Sequence, residues 1–374
     1  MSVFYLLEKF LYLCRQIYIE PSVYITIIMN KIEVGTKLDF SDVLIRPKRS
    51  TINSRSEVDV VRKFKFKYSS VEWEGTPIIS ANMDTTGTFD VYNVLHKYNI
   101  VTAMNKFYTA DDYKEAYDTY HLNPNLFMVS TGIGEGSFEY LENVFQKVDC
   151  NWICIDIANG YISNLVTFCK EVRSRYPDKI IVAGNVVTRE IVEELILNGM
   201  VDIVKIGIGP GSACTTRLKT GVGMPQLSAI IECADAAHGV GGLIIGDGGI
   251  TSPGDCAKAF GAGADFVMMG GAFAGHDENP GEIKVIDGVK YKSFYGMSSS
   301  LAMKKHYGEM AKYRSSEGRE LLVKYKGALE STILDYLGGI RSTCAYINAQ
   351  SIKHMAKCTT FVQVNNQLNT SLVK

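Results

Sequence analysis

Net charge is nearly absent from this chain. Its 39 basic and 40 acidic residues leave a formal charge of −1 over 374 residues. That excludes a general electrostatic affinity for nucleic acid or for an acidic membrane surface. The nine cysteines, at 14, 150, 154, 169, 214, 233, 256, 344 and 358, form no CxxC pair, and several sit in apolar runs such as Ile153-Cys154-Ile155. An odd count without disulfide or zinc spacing reads as a reduced, cytoplasmic protein. An uncharged apolar run of about 18 residues, the minimum for a membrane span, is also missing. The most apolar stretch, residues 3–28, is broken by Glu8, Lys9, Arg15 and Glu20. It has neither the basic start nor the small-residue cleavage site of a signal peptide. One reading treats residues 1–28 as an atypical extension and starts translation at Met29. Low-complexity segments, internal repeats and an early GxGxxG are lacking as well, the last weighing against a doubly wound dinucleotide fold.

What the chain does have is a series of short apolar runs. Eight of them, at 77–81, 100–103, 126–130, 152–155, 180–183, 203–206, 243–245 and 266–269, each end in glycine or a polar residue. Continuous rather than alternating hydrophobicity marks strands buried on both faces. Helix-like segments lie between them. Residues 188–198 open on Thr188 as a cap and stop at Gly199, and 225–238 carry Pro225 in the first turn. Ser252-Pro-Gly-Asp introduces a helix at 256–260, and 331–337 form a final helix closed by Gly338-Gly339. Eight buried strands alternating with helices predict a (β/α)8 TIM barrel, a single domain over 29–374. An insertion at about 275–325, with a hairpin turning at Asp287-Gly288, follows the eighth strand and reads as a lid over the active-site face.

The unusual residues collect at the strands' C-terminal ends. They include Asn82-Met-Asp84, Asn105-Lys106, Asp156-Ile-Ala-Asn-Gly160, Gly184-Asn185, Asp247-Gly-Gly249 and Gly270-Gly271. Glycine pairs after strands seven and eight suit a phosphate, whose oxygens backbone N–H groups then approach. The densest stretch is 205–223, where glycines at 207, 209, 211, 221 and 223 flank Cys214. A cysteine in such a loop is structural, redox-active, metal-bound or nucleophilic. No second Cys or His lies at ligand spacing, which weighs against metal. Nearby Arg217 and the loop amides are placed to stabilise a thiolate, Thr215 and Thr216 to pass protons, and Glu317 to act as acid or base.

With these residues in view, the chain resembles the IMP dehydrogenase/GMP reductase family over roughly residues 29–364. The likeness is carried by KIGIGPGSACTTRLKTGVG, LDFSDVLIRPKRSTINSRSEVD, PIISANMDTTGTF, IDIANGY, FYGMSS, YRSSEG and GGIRSTCAYI. It implies a barrel, usually a homotetramer, that reduces GMP to IMP and ammonia with NADPH. It places at Cys214 the nucleophile that attacks purine C2 through a covalent thioimidate. Thr216 and Glu317 match the pair that handles the leaving amine's proton. Asp247, Gly248, Gly249, Gly270 and Gly271 match ribose- and phosphate-holding positions. Gly296, Met297, Ser298, Arg314, Ser315, Ser316 and Gly318 match a lid that binds the base. Ser54, Arg55, Lys106, Asp156, Ile157 and Ala158 match positions that contact the dinucleotide, as do Ile208, Gly209, Tyr313, Ser342, Thr343, Cys344 and Ala345. Carbonyls of Gly209, Gly211, Cys214 and Arg217 match a monovalent cation site, suited to K+.

Within the family the reductase branch fits better. Only about 22 residues separate the second and third strands, too few for an inserted domain of the kind dehydrogenases usually carry. The dehydrogenase flap with its Arg-Tyr pair is not recognisable. IMP dehydrogenase and a non-catalytic nucleotide-binding barrel remain the alternatives. The family usually has His on both sides of Lys106, whereas this chain has Asn105 and Phe107, which bears on the cofactor pocket.

Overall fold

The computed structural model describes residues 32–308 and 315–365. The chain divides into two compact units, Met1–Lys37 and Leu38–Lys374. Of the first, only 32–37 are described, so the reading of 1–28 as an extension falls outside the described residues.

The second unit is built on eight parallel strands. They are β1 (Ile78–Ser80), β2 (Val101–Ala103), β3 (Phe127–Thr131), β4 (Trp152–Asp156), β5 (Ile180–Val186), β6 (Ile203–Ile206), β7 (Leu243–Asp247) and β8 (Phe266–Met269). Each pairs with its sequence neighbours, and β8 pairs with β1 to close the barrel. Nearly every strand residue is buried. This explains the unbroken Ile/Val runs, since a strand buried on both faces has no solvent side for alternate polar residues. Each fully buried Val, Ile or Leu contributes about 1.5–3 kcal/mol.

Among the described residues a barrel helix follows each strand. These helices are α1 (Phe89–Leu95), α2 (Ala110–Tyr120), α3 (Ser137–Phe145), α4 (Ser163–Arg175), α5 (Arg189–Leu197), α6 (Gln226–Gly239), α7 (Pro253–Gly261) and α8 (Leu329–Ile347). A hairpin of Arg62–Lys65 and Glu72–Gly75 plugs the barrel's N-terminal mouth. Its Trp73 meets Trp152 and Phe266, the first residues of β4 and β8, with the Trp73 and Trp152 rings edge to face at 5.9 Å. The C-terminal mouth is therefore the open one.

One helix expectation holds in position and three need correction. Thr188 is the N-cap of α5, but its side chain makes no capping bond and accepts from Tyr161 Oη instead. Pro225 precedes α6 as its N-cap, with ψ at 127°, and the first amide, Gln226 N–H, donates to Asp39 Oδ1 at 2.8 Å. The segment introduced by Ser252 is helical from Pro253, since Ser252 and Asp255 form a capping box. The last helix does not stop at Gly338-Gly339 but runs to Ile347, ending at left-handed Asn348. Gly339 is there for contact, because a Cβ at that position would lie 2.4 Å from Pro253 Cβ at the start of α7.

Between β8 and α8, Lys284–Ile286, Val289–Tyr295 and Glu320–Lys324 form a three-stranded antiparallel sheet. The first pair turns at Asp287 and Gly288, with φ of 50° and 75°, the primed turn that Asp-Gly favours. A helix, Ser300–Tyr307, follows the sheet's second strand. Among the described residues no helix is long and apolar enough to cross a membrane.

Candidate active site

The loop after β6 turns at once. Gly207 and Gly209 adopt φ of 151° and 85°, and a Cβ on Gly207 would meet the Asp247 carbonyl at 2.1 Å. Only glycine lets the chain leave the barrel this close to β7. Cys214 N–H then donates to the Gly211 carbonyl at 3.0 Å. Residues 315–319 are zipped along the cysteine. Thr215 N–H donates to the Glu317 carbonyl at 2.7 Å and Arg319 N–H to the Ala213 carbonyl at 2.9 Å. Gly296 and Gly318 allow the approach, since a Cβ on either would come within 2.8 Å of neighbouring backbone.

That zipper aligns three side chains. The Cys214 thiol donates to Thr216 Oγ1 at 3.2 Å, and Thr216 Oγ1 donates to Glu317 Oε2 at 2.8 Å. A half-buried thiol is thus linked through one hydroxyl to a carboxylate, a route by which a proton leaves sulfur or reaches a departing group. Thr215 is instead a brace, its hydroxyl donating to the Ser316 carbonyl.

Cys214 lines a cavity of about 610 Å³ at the C-terminal mouth. Asp247, Gly248, Gly249, Gly270 and Gly271 line it, and so do Gly296, Met297, Ser298 and Gly318. Gly248 and Gly249 are both left-handed, at φ of 91° and 79°. Lys106, Asp156, Ile157, Ala158, Ile208 and Gly209 line the same cavity. Its volume and mixed lining are those of a site for a sizeable organic ligand.

Sequence reasoning missed the charge beneath this cavity. Lys205 is 2% exposed, and its ammonium bridges Asp156 Oδ1 at 2.6 Å and Asp247 Oδ2 at 3.0 Å. Burial favours a neutral lysine, but the two carboxylates prevail and hold its pKa above the ordinary range. Burial likewise opposes ionisation of Asp156, and Lys205 prevails to hold its carboxyl below the usual value. Asn185 Nδ2 donates to Asp247 Oδ2 at 2.8 Å and fixes the same carboxylate. The available signal was a lysine inside an apolar strand run. Ser212, whose Oγ lies 2.9 Å from where a Cβ on Gly271 would sit, is a further lining residue.

Other expected residues lie elsewhere. Arg217 does not face the thiol. Its stem passes between Gly209 and Gly223, and its guanidinium is held by Asp39 Oδ2 at 3.1 Å and by the Met224 carbonyl. Ser54 and Arg55 sit at a short 3-10 turn, Arg55–Glu57, and Ser342, Thr343, Cys344 and Ala345 sit on α8; none lines the cavity. Cys344 is fully buried, and burial pushes its thiol up to about 12. Ser315 and Ser316 also lie off the cavity, the Ser316 hydroxyl donating to the Gly318 carbonyl at 2.8 Å. Tyr313 and Arg314 fall outside the described residues. Of the four carbonyls matched to a cation, that of Gly211 accepts Cys214 N–H and that of Arg217 accepts Gly221 N–H, each retaining a second lone pair. Asn105 is buried as a turn brace, its Nδ2 donating to the Gly87 carbonyl at 3.1 Å and its Oδ1 accepting Phe107 N–H.

Comparison with known proteins adds to this geometry. The profile of the IMP dehydrogenase / GMP reductase domain matches residues 37–370. The chain is 55% identical over 345 residues to GMP reductase 2 of Homo sapiens, covering 91% of this chain and 98% of that protein. It is 54% identical over 341 residues to GMP reductase of Vibrio vulnificus (strain YJ016), with the same coverage. With GMP reductase 1 of Mus musculus it shares 54% over 343 residues, covering 91% and 99%.

Proposed function

Since the chain belongs to the IMP dehydrogenase / GMP reductase family, we propose that it catalyses the NADPH-dependent reduction of GMP to IMP with release of ammonia. The observation that carries this reading is the Cys214–Thr216–Glu317 chain at the wall of a cavity large enough for a nucleotide. Purine C2 sits against Cys214 Sγ. The phosphate lies toward Gly248, Gly249, Gly270 and Gly271, whose missing side chains let oxygens reach backbone amides. Asp247 takes the ribose hydroxyls, fixed for that task by Lys205 and Asn185.

Cys214 passes its proton toward Thr216 and attacks C2. The 2-amino group accepts a proton through Thr216 and Glu317, the C2–N bond breaks and ammonia leaves. The resulting thioimidate has no good leaving group except sulfur, so the two steps proceed in order. NADPH supplies the hydride that C2 then accepts. As the C2–S bond breaks, its electron pair returns to Cys214 and IMP departs. Lys106, Asp156, Ile157, Ala158, Ile208 and Gly209, which line the same cavity as the thiol, fit the nicotinamide end of the cofactor. Ser54, Arg55 and residues 342–345 lie outside that cavity. In the homotetramer we propose, they serve the far end of a dinucleotide bound at a neighbouring copy. The carbonyls of Gly209, Gly211, Cys214 and Arg217, in the loop after β6 and the first turn of the helix Thr216–Thr220 that follows it, are hard oxygen donors and suit K+.

The test is to mix purified protein with GMP and NADPH and measure IMP, ammonia and NADPH absorbance together. Equimolar change in all three supports the assignment. No turnover of GMP, with IMP-dependent reduction of NAD, would transfer it to IMP dehydrogenase. GMP binding without either reaction would leave a nucleotide-binding barrel. Activity that is the same in potassium and in tetramethylammonium buffers would remove the cation site.

A further inference from the structure

Asp84, in the loop after β1, is 5% exposed and plays no part in the chemistry above. One of its oxygens, Oδ2, lies within hydrogen-bond distance of three donors: Tyr295 Oη at 2.9 Å, Lys305 Nζ at 3.0 Å and His306 Nε2 at 2.6 Å. All three belong to the insertion between β8 and α8, and two lie on the helix Ser300–Tyr307. The Asp84 amide donates to Met297 Sδ at 3.3 Å, so the same residue touches the segment over the base end of the cavity. Burial opposes ionisation of Asp84, but these donors hold its carboxyl below the usual range.

A second contact closes the other side. Phe107, in the loop after β2, stacks face to face on His306, with ring centroids 3.4 Å apart and planes within 5°. Tyr307 meets the same Phe107 ring edge-on at 5.9 Å. Phe107, Met303 and Tyr307 all line the cavity next to Lys106. His306 is therefore gripped twice, by a carboxylate at one ring nitrogen and by an aromatic face. The helix that walls the cofactor end of the cavity hangs from residues of two barrel loops.

We propose that Asp84 and Phe107 are positioning residues that clasp the helix Ser300–Tyr307 over the cofactor end of the cavity, so that their loss weakens NADPH binding and leaves the bond-making steps at Cys214 largely intact. The proposal rests on the GMP reductase reading for its kinetic arm only. Asp84→Asn keeps the shape but removes the charge that gathers three donors. Hydrogen bonds to a charged acceptor are stronger than neutral ones, so KM for NADPH is expected to rise about tenfold or more. Phe107→Ala removes the stacked face and acts in the same direction, while Phe107→Tyr restores it. His306→Phe keeps the stack and loses the hydrogen bond. Combined with Asp84→Asn, it should cost less than the sum of the two single changes, because the Asp84–His306 contact is altered in both.

Hydrogen–deuterium exchange on the free protein supplies a readout independent of activity. Asp84→Asn should speed amide exchange of residues 300–307 about tenfold or more, with α5 and α6 unchanged. Faster exchange there, together with a raised KM for NADPH, a kcat within about threefold of the original and unchanged GMP affinity, supports the clasp. Unchanged exchange in 300–307 overturns it, as does a fall in kcat at unchanged KM. If the unaltered protein fails to turn over GMP while the exchange effect appears, the functional reading fails and the clasp stands.

Discussion

Replacing Glu317 by Gln isolates the proton-handling role. A Gln carbonyl still accepts the Thr216 hydroxyl across the 2.8 Å contact, so the backbone zipper and the thiol's position are preserved. What disappears is a group able to exchange a proton with Thr216 and, through it, with the leaving amine. Positioned acid–base groups contribute about 10²–10⁴-fold. At about 1.36 kcal/mol per decade, deamination should therefore be slowed by about 2.7–5.4 kcal/mol of barrier. Hydride addition to C2 needs no proton from this route and should change far less. Rapid-quench measurement of ammonia release, beside the NADPH absorbance transient, separates the steps. A deuterium isotope effect from labelled NADPH should also shrink as deamination becomes limiting. GMP affinity, read by calorimetry, should stay within about threefold, because the carboxylate is not asked to bind ground-state substrate. Equal losses in both steps, an undiminished isotope effect, or a loss below about tenfold would refute the assignment.

Two further predictions concern the scaffold. Gly338 and Gly339 are adjacent in α8 but should respond oppositely to alanine. Nothing lies within 4 Å of a Cβ on Gly338, so Gly338→Ala should gain up to about 1 kcal/mol of helix propensity. Gly339→Ala presses on Pro253 and should lose about 1 kcal/mol or more net; urea midpoints compare them, and a stabilised Gly339→Ala would contradict the packing. Asp156→Asn should lower stability at pH 7. The native Asp156 carboxyl titrates below its ordinary value, so its contribution is present above about pH 4 and lost as pH falls through the lower folded value. The urea-midpoint gap between the two proteins should shrink below about pH 4, and a gap that stays constant would argue against the Lys205 pairing.

The barrel was readable because its physics is local. A strand buried on both faces must be apolar at every position, and the eight runs found that way coincide with β1 to β8 within a few residues. The glycine-rich loop was readable for a similar reason, since its backbone strain is written in the residue types. What escaped depends on distant partners. Gly338-Gly339 has the local look of a helix stop, yet Gly339 answers to Pro253. Arg217 stands three residues from Cys214 in sequence, but Gly209 and Gly223 open a channel that leads its side chain to Asp39. Lys205 was visible as a charge in an apolar run, while its partners come from β4 and β7. The clasp on the helix Ser300–Tyr307 joins Asp84 and Phe107 to residues some two hundred positions later, which no local pattern announces.

In the proposed mechanism Cys214 is the group that attacks the purine. Cys214→Ala should bind GMP with affinity close to that of the unaltered protein, by calorimetry, and should form no IMP from GMP and NADPH. Substantial IMP formation by Cys214→Ala would contradict covalent catalysis at this loop.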